Sequence, residues 1–149
     1  MKLAEALQER ADLQRRVEEL AVRIEDNAIV QEGEKTVEDP NELIKELNIC
    51  LDRLEEITAK INLANCSTKV GDITLTELIA KKDKLRKKIE LYRRITTAGS
   101  QTATRATRTE IKILSAVDVK SMQKTADALS KELRETDNLI QSTNWTQDL

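Results

Sequence analysis

The sequence predicts a mainly α-helical protein with four long amphipathic helices paired as two antiparallel hairpins, in the manner of a helical bundle or coiled coil. Charged residues make up 35% of the chain, and Tyr92 and Trp145 are its aromatic residues, so aliphatic side chains in thin layers between helices must form the core. Its 149 residues suit a single helical domain spanning residues 1–149. The main observation is an apolar seam whose members alternate four and three positions apart, as in a helix that needs partner helices: Leu43, Leu47, Cys50, Leu54, Ile57 and Ile61.

The first helix is predicted over residues 2–27. Arg10 interrupts its apolar stripe, whereas Leu7 and Ala21 widen the apolar face, so we expect this helix to have more than one neighbour. The stripe consists of Leu3, Ala6, Leu13, Val17, Leu20 and Ile24.

The second helix is predicted over residues 40–65. Asp39 can cap it, Pro40 suits its first position, and Glu42 completes a capping-box pattern. Ile44 and Leu51 add a second apolar edge beside the main seam. We therefore expect this helix also to present more apolar surface than one partner helix covers.

Two further helices are predicted over residues 75–98 and 117–143. The third begins with a capping box formed by Thr74 and Glu77, and Gly99 provides a stop. The fourth can be capped by Ser115 or Asp118. Their stripes are Leu75, Leu78, Leu85, Ile89 and Tyr92, and Met122, Ala126, Leu129, Leu133, Thr136 and Ile140.

Two longer connections each contain an extended-looking segment. Residues 110–113 alternate polar and apolar, and residues 28–31 are β-branched at their centre, so we expect them to pair as a small two-stranded ribbon. Pairing would bring Arg105 and Arg108 near Glu32 and Glu34. These arginines would then fix the pairing or bind a shared anion.

The composition argues against ordinary enzyme chemistry. The chain has no His, the usual acid–base residue at neutral pH and the commonest metal ligand, and Cys50 and Cys66 cannot complete a zinc site by themselves. We therefore predict no enzyme activity, catalytic residue, metal site, cofactor or small-molecule substrate. The helical, charged start and the absence of a membrane-span pattern predict a cytoplasmic protein with reduced thiols.

The net charge of −2 conceals a strong asymmetry along the chain. Residues 1–77 carry −8, residues 78–112 carry +8, and the remainder carries −2. The basic segment could lie against the acidic helices one and two of the same or a second chain, bind nucleic acid or another polyanion without sequence specificity, or meet an anionic membrane surface. Its candidate anion contacts are Lys81, Lys84, Lys87, Lys88, Arg93, Arg94, Arg105 and Arg108.

Several segments together resemble small bacterial proteins of the septicolysin or septicolysin-like family. The segments are residues 27–34 (NAIVQEGE), 39–43 (DPNEL), 74–80 (TLTELIA), 105–112 (RATRTEIK), 117–119 (VDV) and 144–146 (NWT). Thr36 departs from the pattern, which has Pro there. The resemblance implies a helical homo-oligomer, and the family name suggests a pore-forming cytolysin. Lysis is not carried over to this chain, because charges interrupt every apolar stripe.

Three functional hypotheses follow. The first is a non-enzymatic cytosolic helical homo-oligomer, a dimer or a multiple of one, whose seam residues Leu43 to Ile61 contribute to assembly. The second is nonspecific nucleic-acid or anion binding by the basic segment 81–112. The third, which rests on the family name alone, is pore formation.

Overall fold

A computed structural model describes residues 1–102 and 111–149. These residues form the four helices α1 (Leu3–Asp26), α2 (Pro40–Ser67), α3 (Leu75–Gly99) and α4 (Val119–Thr146), together with the short strands β1 (Lys69–Val70) and β2 (Ile73–Thr74). The predicted mainly helical class is confirmed, and each helix boundary lies within three residues of its predicted position. The chain divides into two compact units. Unit 1 comprises residues 1–68 and 143–149, and unit 2 comprises residues 69–142.

The predicted ribbon is in the wrong place. Of the two segments expected to pair, residues 28–31 and 111–113 contain no strand, and residue 110 lies outside the described residues. The antiparallel ribbon instead joins β1 to β2, with Lys69 opposite Thr74 and Val70 opposite Ile73. Its two-residue turn begins at Gly71, whose φ of +65° suits a residue without a Cβ.

Polar side chains fix the starts of three helices. Asn41 N–H donates to the Asp39 carboxylate at 2.9 Å, whereas Glu42 pairs with Lys45 at 2.6 Å instead of returning to the cap, so the capping box predicted for α2 is wrong. The box predicted for α3 is confirmed: Glu77 N–H donates to Thr74 Oγ1 at 3.2 Å, and Thr74 N–H donates to Glu77 Oε2 at 2.6 Å.

Of the two residues proposed to cap α4, Asp118 takes the role. Its side chain accepts a hydrogen bond from Ser121 N–H at 2.9 Å, and its carbonyl accepts from Met122 N–H at 3.0 Å. The Ser115 hydroxyl donates instead to the Val117 carbonyl at 2.9 Å.

Unit 1 is an antiparallel hairpin of α1 and α2. Asn27 closes the connection by accepting a hydrogen bond from Glu38 N–H at 3.0 Å while donating to the Arg23 carbonyl at 2.8 Å. The C-terminal residues join this unit, since Leu3 N–H donates to the Gln147 carbonyl at 2.9 Å. The fully buried side chains of the hairpin come from both helices: Leu3, Ala6, Leu20, Ile57 and Ile61.

Unit 2 contains the ribbon, α3 and most of α4. Lys81 pairs with Glu132 at 2.9 Å, and the backbone of Gly99 lies against the side chain of Val119. Because the end of α3 meets the start of α4, and Lys81 near the start of α3 meets a residue farther along α4, the two helices run antiparallel, as predicted. The polar side chain of Thr136 is also buried in this unit. The apolar core side chains are Leu75, Leu78, Leu85, Ile89, Ala126 and Ile140.

Candidate functional site

One side of the α1–α2 hairpin is held by three ion pairs, which we call the ion-pair flank. Glu9, Arg16 and Arg23 stand seven residues apart on α1, so they lie along one edge of that helix. Each meets an oppositely charged side chain from the α2 side: Arg53 Nε–Glu9 Oε1 at 2.6 Å, Arg16 Nε–Glu46 Oε1 at 3.0 Å and Arg23 Nε–Glu38 Oε2 at 3.0 Å.

These contacts shift the ionisation of their members toward the charged form. The hydrogen bond from Arg23 is the main reason that the pKa of Glu38 lies below its ordinary value, and the hydrogen bond to Glu9 is the main reason that the pKa of Arg53 is raised. All the pairs are partly exposed, and pairs of this kind typically contribute little stability. They do fix how α1 lies along α2, because each side chain meets a specific partner.

The opposite side of the same hairpin is apolar and incompletely covered. Leu7 and Ala21 on α1 are half-buried, and Ile44 and Leu51 on α2 are each 41% exposed. All four lie roughly opposite the ion-paired positions of their own helix, since a seven-residue repeat follows one line along a helix. We call these four residues the apolar flank. They are the residues that the sequence predicted would widen the apolar faces.

The predicted seam of α2 divides into two parts. Leu43, Ile57 and Ile61 are buried and belong to the hairpin core, whereas Leu47, Cys50 and Leu54 are half-buried. The middle of the seam therefore adds partly accessible apolar surface beside the apolar flank.

Unpaired carboxylates border the apolar flank. Three exposed glutamates follow the apolar flank along the two helices: Glu18 and Glu25 on α1 and Glu55 on α2. Glu25 and Glu55 lie four residues after the flank residues Ala21 and Leu51. Glu18 lies four residues after position 14, which is midway between Leu7 and Ala21 on the same line along α1. Their carboxylates form no ion pair with any residue in the described ranges 1–102 and 111–149. The acidic groups on the ion-pair flank are satisfied within the hairpin, whereas these three are available to a partner.

The predicted basic segment has one coherent exposed face on α3. Lys84, Lys87, Lys88 and Arg94 are all exposed, and their spacing places them on the side of α3 away from its buried residues. Between and beyond them lie exposed Leu91, Ile95 and Ala98, which line a shallow depression of about 640 Å³. We call these seven residues the basic stripe.

The other candidate anion contacts are not part of the basic stripe. Lys81 forms an ion pair with Glu132 on α4, and the hydrogen bond from Lys81 is the main reason that the pKa of Glu132 is lowered. Arg93 donates to the Ser130 hydroxyl at 3.4 Å. Arg105 and Arg108 lie outside the described residues. Because the ribbon forms elsewhere, the expected meeting of these arginines with Glu32 and Glu34 loses its structural basis.

Within residues 1–102 and 111–149, no group of three or more His, Cys, Asp or Glu side chains could hold a metal ion. No helix there has both the length and the apolar character needed to cross a bilayer. Cys50 is half-buried, Cys66 is exposed, and neither forms a disulfide.

Comparison with known proteins places the chain in a family. Residues 10–149 match the model of a family described as "Family of unknown function (DUF6847)", and the chain belongs to that family. It is also similar to a solved structure described as a functionally unknown conserved protein from Corynebacterium diphtheriae. The sequences are 36% identical, the match covers 100% of this chain and 98% of the other, and the TM-score is 0.91. No curated protein matches the chain.

The family match corrects the resemblance drawn from the sequence. The septicolysin assignment is wrong, because the matching family and structure are both of unknown function and neither is a septicolysin. Two of the six segments that suggested it contain helix starts: residues 39–43 begin at Asp39, and residues 74–80 begin at Thr74. Such capping patterns recur wherever amphipathic helices begin, so they do not identify a family.

Two features of these surfaces, the ion-pair flank and the apolar centre of the basic stripe, were not predicted from the sequence. The ion-pair flank follows a heptad spacing of charges on α1, at residues 9, 16 and 23, and this spacing is visible in the sequence. The basic stripe is marked by apolar residues at 91, 95 and 98, three and four positions apart on a line separate from the core stripe. Counting charged and exposed apolar repeats, in addition to core repeats, would have indicated both.

Proposed function

We propose that this protein is a non-enzymatic, cytosolic helical protein that acts by self-association, as a dimer or a multiple of one. The observation that carries the proposal is the apolar flank of the α1–α2 hairpin, where Ile44 and Leu51 remain 41% exposed next to the half-buried Leu47 and Leu54. A contiguous apolar surface of this kind commonly marks a protein interface. A second copy is the proposed occupant because closed two-fold pairs are the most frequent soluble oligomers.

Comparing the free energy gained by burying the apolar flank with the free-energy cost of association shows that the interface needs additional contacts. Fully burying an exposed Leu or Ile gains roughly 1.5–3 kcal/mol, and the flank residues are already partly covered. Association costs about 4–15 kcal/mol in lost freedom of motion. The apolar flank therefore supplies a nucleus for an interface, and charged or further apolar surface must complete it.

The ionisable groups support a structural role in preference to catalysis. The pKa values of Glu56, Glu132 and Asp137 are lowered, chiefly by hydrogen bonds from lysines. A general acid at neutral pH needs the opposite shift.

The test measures oligomer mass with a matched pair of variants on α2. Ile44→Ser with Leu51→Ser removes apolar groups from the apolar flank. Ile49→Ser with Leu63→Ser makes the same chemical change at residues that are 69% and 71% exposed on another side of the helix. We expect the wild type and the control to share one oligomer mass by light scattering, and the flank variant to dissociate to a monomer.

A wild type that remains monomeric at micromolar and higher concentrations would contradict self-association. Dissociation of both variants would show that general loss of apolar surface, and not the apolar flank, controls assembly. Circular dichroism confirms that each variant is folded before its mass is interpreted.

Nonspecific polyanion binding is a second candidate function. It is favoured by the four cations of the basic stripe, which share one exposed face of α3. Contacts to phosphates weaken steeply with salt, so retention on immobilised heparin at low salt that is lost at moderate salt supports this function. Absence of retention at low salt excludes it.

A further inference from the structure

We infer that the partner of the apolar flank is the basic stripe of a second copy, so that the acidic-bordered hairpin of one chain docks on α3 of another. This inference rests on the proposed self-association and names the two surfaces that meet. Three observations support it: the two units carry opposite charge, the borders of the two surfaces carry opposite charge, and pairing two apolar flanks would bring like charges together.

The two compact units carry opposite charge. Unit 1 holds nine Lys and Arg against seventeen Asp and Glu, which gives −8. Unit 2 holds sixteen Lys and Arg against ten Asp and Glu, which gives +6. Contact between unlike units of two copies is therefore attractive, and contact between like units is repulsive.

The two surfaces are complementary in their local chemistry. The apolar flank has an aliphatic centre and a carboxylate border of Glu18, Glu25 and Glu55. The basic stripe has an aliphatic centre at Leu91 and Ile95 with a cationic border. Lys84 forms no salt bridge with a described residue, and Lys88 lies over the ring of Tyr92 with its Nζ 5.4 Å from the ring centre.

The remaining cations of the basic stripe are paired only weakly within their own helix. Lys87 Nζ lies 2.9 Å from Glu90 and Arg94 Nη1 lies 3.8 Å from the same residue. Because one carboxylate serves both cations, the basic stripe keeps an excess of positive charge. The hairpin border keeps an excess of negative charge because Glu18, Glu25 and Glu55 form no ion pair with a described residue.

Pairing two apolar flanks with each other would also bury apolar surface. It would bring the three unpaired carboxylates of one copy near the same three of the other. Like charges at helix interfaces oppose association and select against a pairing. Packing the apolar flank of one copy against the basic stripe of another buries apolar groups on both sides. It also brings the carboxylate border next to the cationic border, so it is the favoured arrangement.

Each copy carries one apolar flank and one basic stripe. In a two-fold pair the same contact therefore forms twice, and in a head-to-tail arrangement it forms once per neighbour. A symmetric pair doubles the gain from each interaction, which helps to offset the cost of association.

The experiment is a charge swap in the full chain, read by sedimentation or light scattering over a range of protein concentrations. Variant A carries Lys84→Glu, Lys87→Glu and Arg94→Glu, and variant B carries Glu18→Lys, Glu25→Lys and Glu55→Lys. We expect each variant alone to need at least about tenfold more protein to associate than the wild type. An equimolar mixture of A and B should associate again, because both contacts then have opposite borders.

A control with the same change in net charge lies on α4, at exposed residues of unit 2 outside the basic stripe: Lys120→Glu, Lys124→Glu and Lys131→Glu. We expect it to associate like the wild type. Added salt should weaken association of the wild type, because the borders are exposed and screened.

Each alternative outcome contradicts the inference in a distinguishable way. If variant A and variant B keep the wild-type mass while Ile44→Ser with Leu51→Ser dissociates, self-association stands and the flank-to-stripe contact is wrong. If variant A keeps the wild-type oligomer mass but loses retention on heparin, the basic stripe binds polyanions and is not part of the self-association interface. If the wild type is monomeric at all concentrations, both the inference and the proposed function fail.

Discussion

At the residue scale, Gly99 ends α3 at a place where the returning chain passes very close. A Cβ built on Gly99 would lie 2.6 Å from Val117 Cγ2, 3.0 Å from Ser115 Oγ and 3.2 Å from Val119 Cγ2. The sequence predicted Gly99 as a helix stop because glycine often ends helices. The structure gives a different reason: the absence of a side chain allows residues 115–119 to pack against the end of α3.

Gly99→Ala should destabilise the protein by about 1–3 kcal/mol, the usual cost of overpacking a closed contact. Val117→Ala removes the closest methyl group, and in that background the same substitution should cost less, because only the contacts with Ser115 and Val119 remain tight. Urea unfolding of the four proteins in this double-mutant cycle measures the coupling. Gly99→Ala that stabilises the protein with Val117 present would contradict the close contact.

At the scale of the elements, the helix starts differ in how completely they are capped. The α3 start has two reciprocal bonds between Thr74 and Glu77, and the hydrogen bond from Thr74 N–H is the main reason that the pKa of Glu77 is lowered. The ribbon runs directly into this helix, since β2 ends at Thr74 and α3 begins at Leu75. Thr74 therefore serves both as the last strand residue and as the helix cap.

Thr74→Ala should lower stability by about 1 kcal/mol, the typical loss of an N-cap side chain. Thr125→Ala, at an exposed position inside α4, is the matched control and should leave stability unchanged or slightly raised, because Ala is the better helix former. Thermal unfolding by circular dichroism compares the two. Equal melting temperatures for both variants would show that the cap contributes nothing.

Local patterns predicted the helices well and the ribbon poorly. The helix boundaries follow from capping residues and apolar repeats, which act over a few neighbouring positions. Strand alternation over residues 110–113 was too short to specify a partner, whereas the real ribbon depends on a Gly71–Asp72 turn between β-branched residues, a signal that is present in the sequence.

The candidate surfaces were predicted only in part. The wide apolar faces at Leu7, Ala21, Ile44 and Leu51 were evident from the helical repeat. The pairing of Arg53 with Glu9 was not evident, because it depends on the offset of α2 relative to α1 along their axes. Repeats within single helices do not fix that offset.

At the scale of the whole molecule, the absence of His leaves few groups that titrate near neutral pH. The carboxylates of Glu38, Glu56 and Glu132 have pKa values below the ordinary 4.5, chiefly through hydrogen bonds from Arg23, Lys60 and Lys81 respectively. A group with a lowered folded-state pKa stabilises the fold above its ordinary pKa. That stabilisation is lost as the pH falls through the lowered value.

We therefore expect the melting temperature to be nearly constant between about pH 5.5 and 7.5 and to fall below about pH 4.5. Thermal unfolding across a pH series measures this quantity. A change in melting temperature with a midpoint near pH 6.5 would contradict this account.

The start and the end of the chain meet within unit 1. Leu149 N–H donates to the Met1 carbonyl at 3.0 Å, and Lys2 Nζ lies 2.9 Å from the Asp148 carboxylate. A linker of a few residues could therefore join the two termini at little entropic cost. The linked chain could then be opened at another exposed connection, such as the one containing Gly33. In this circularly permuted protein the helices would follow one another as α2, α3, α4 and α1, with every packing contact described here preserved.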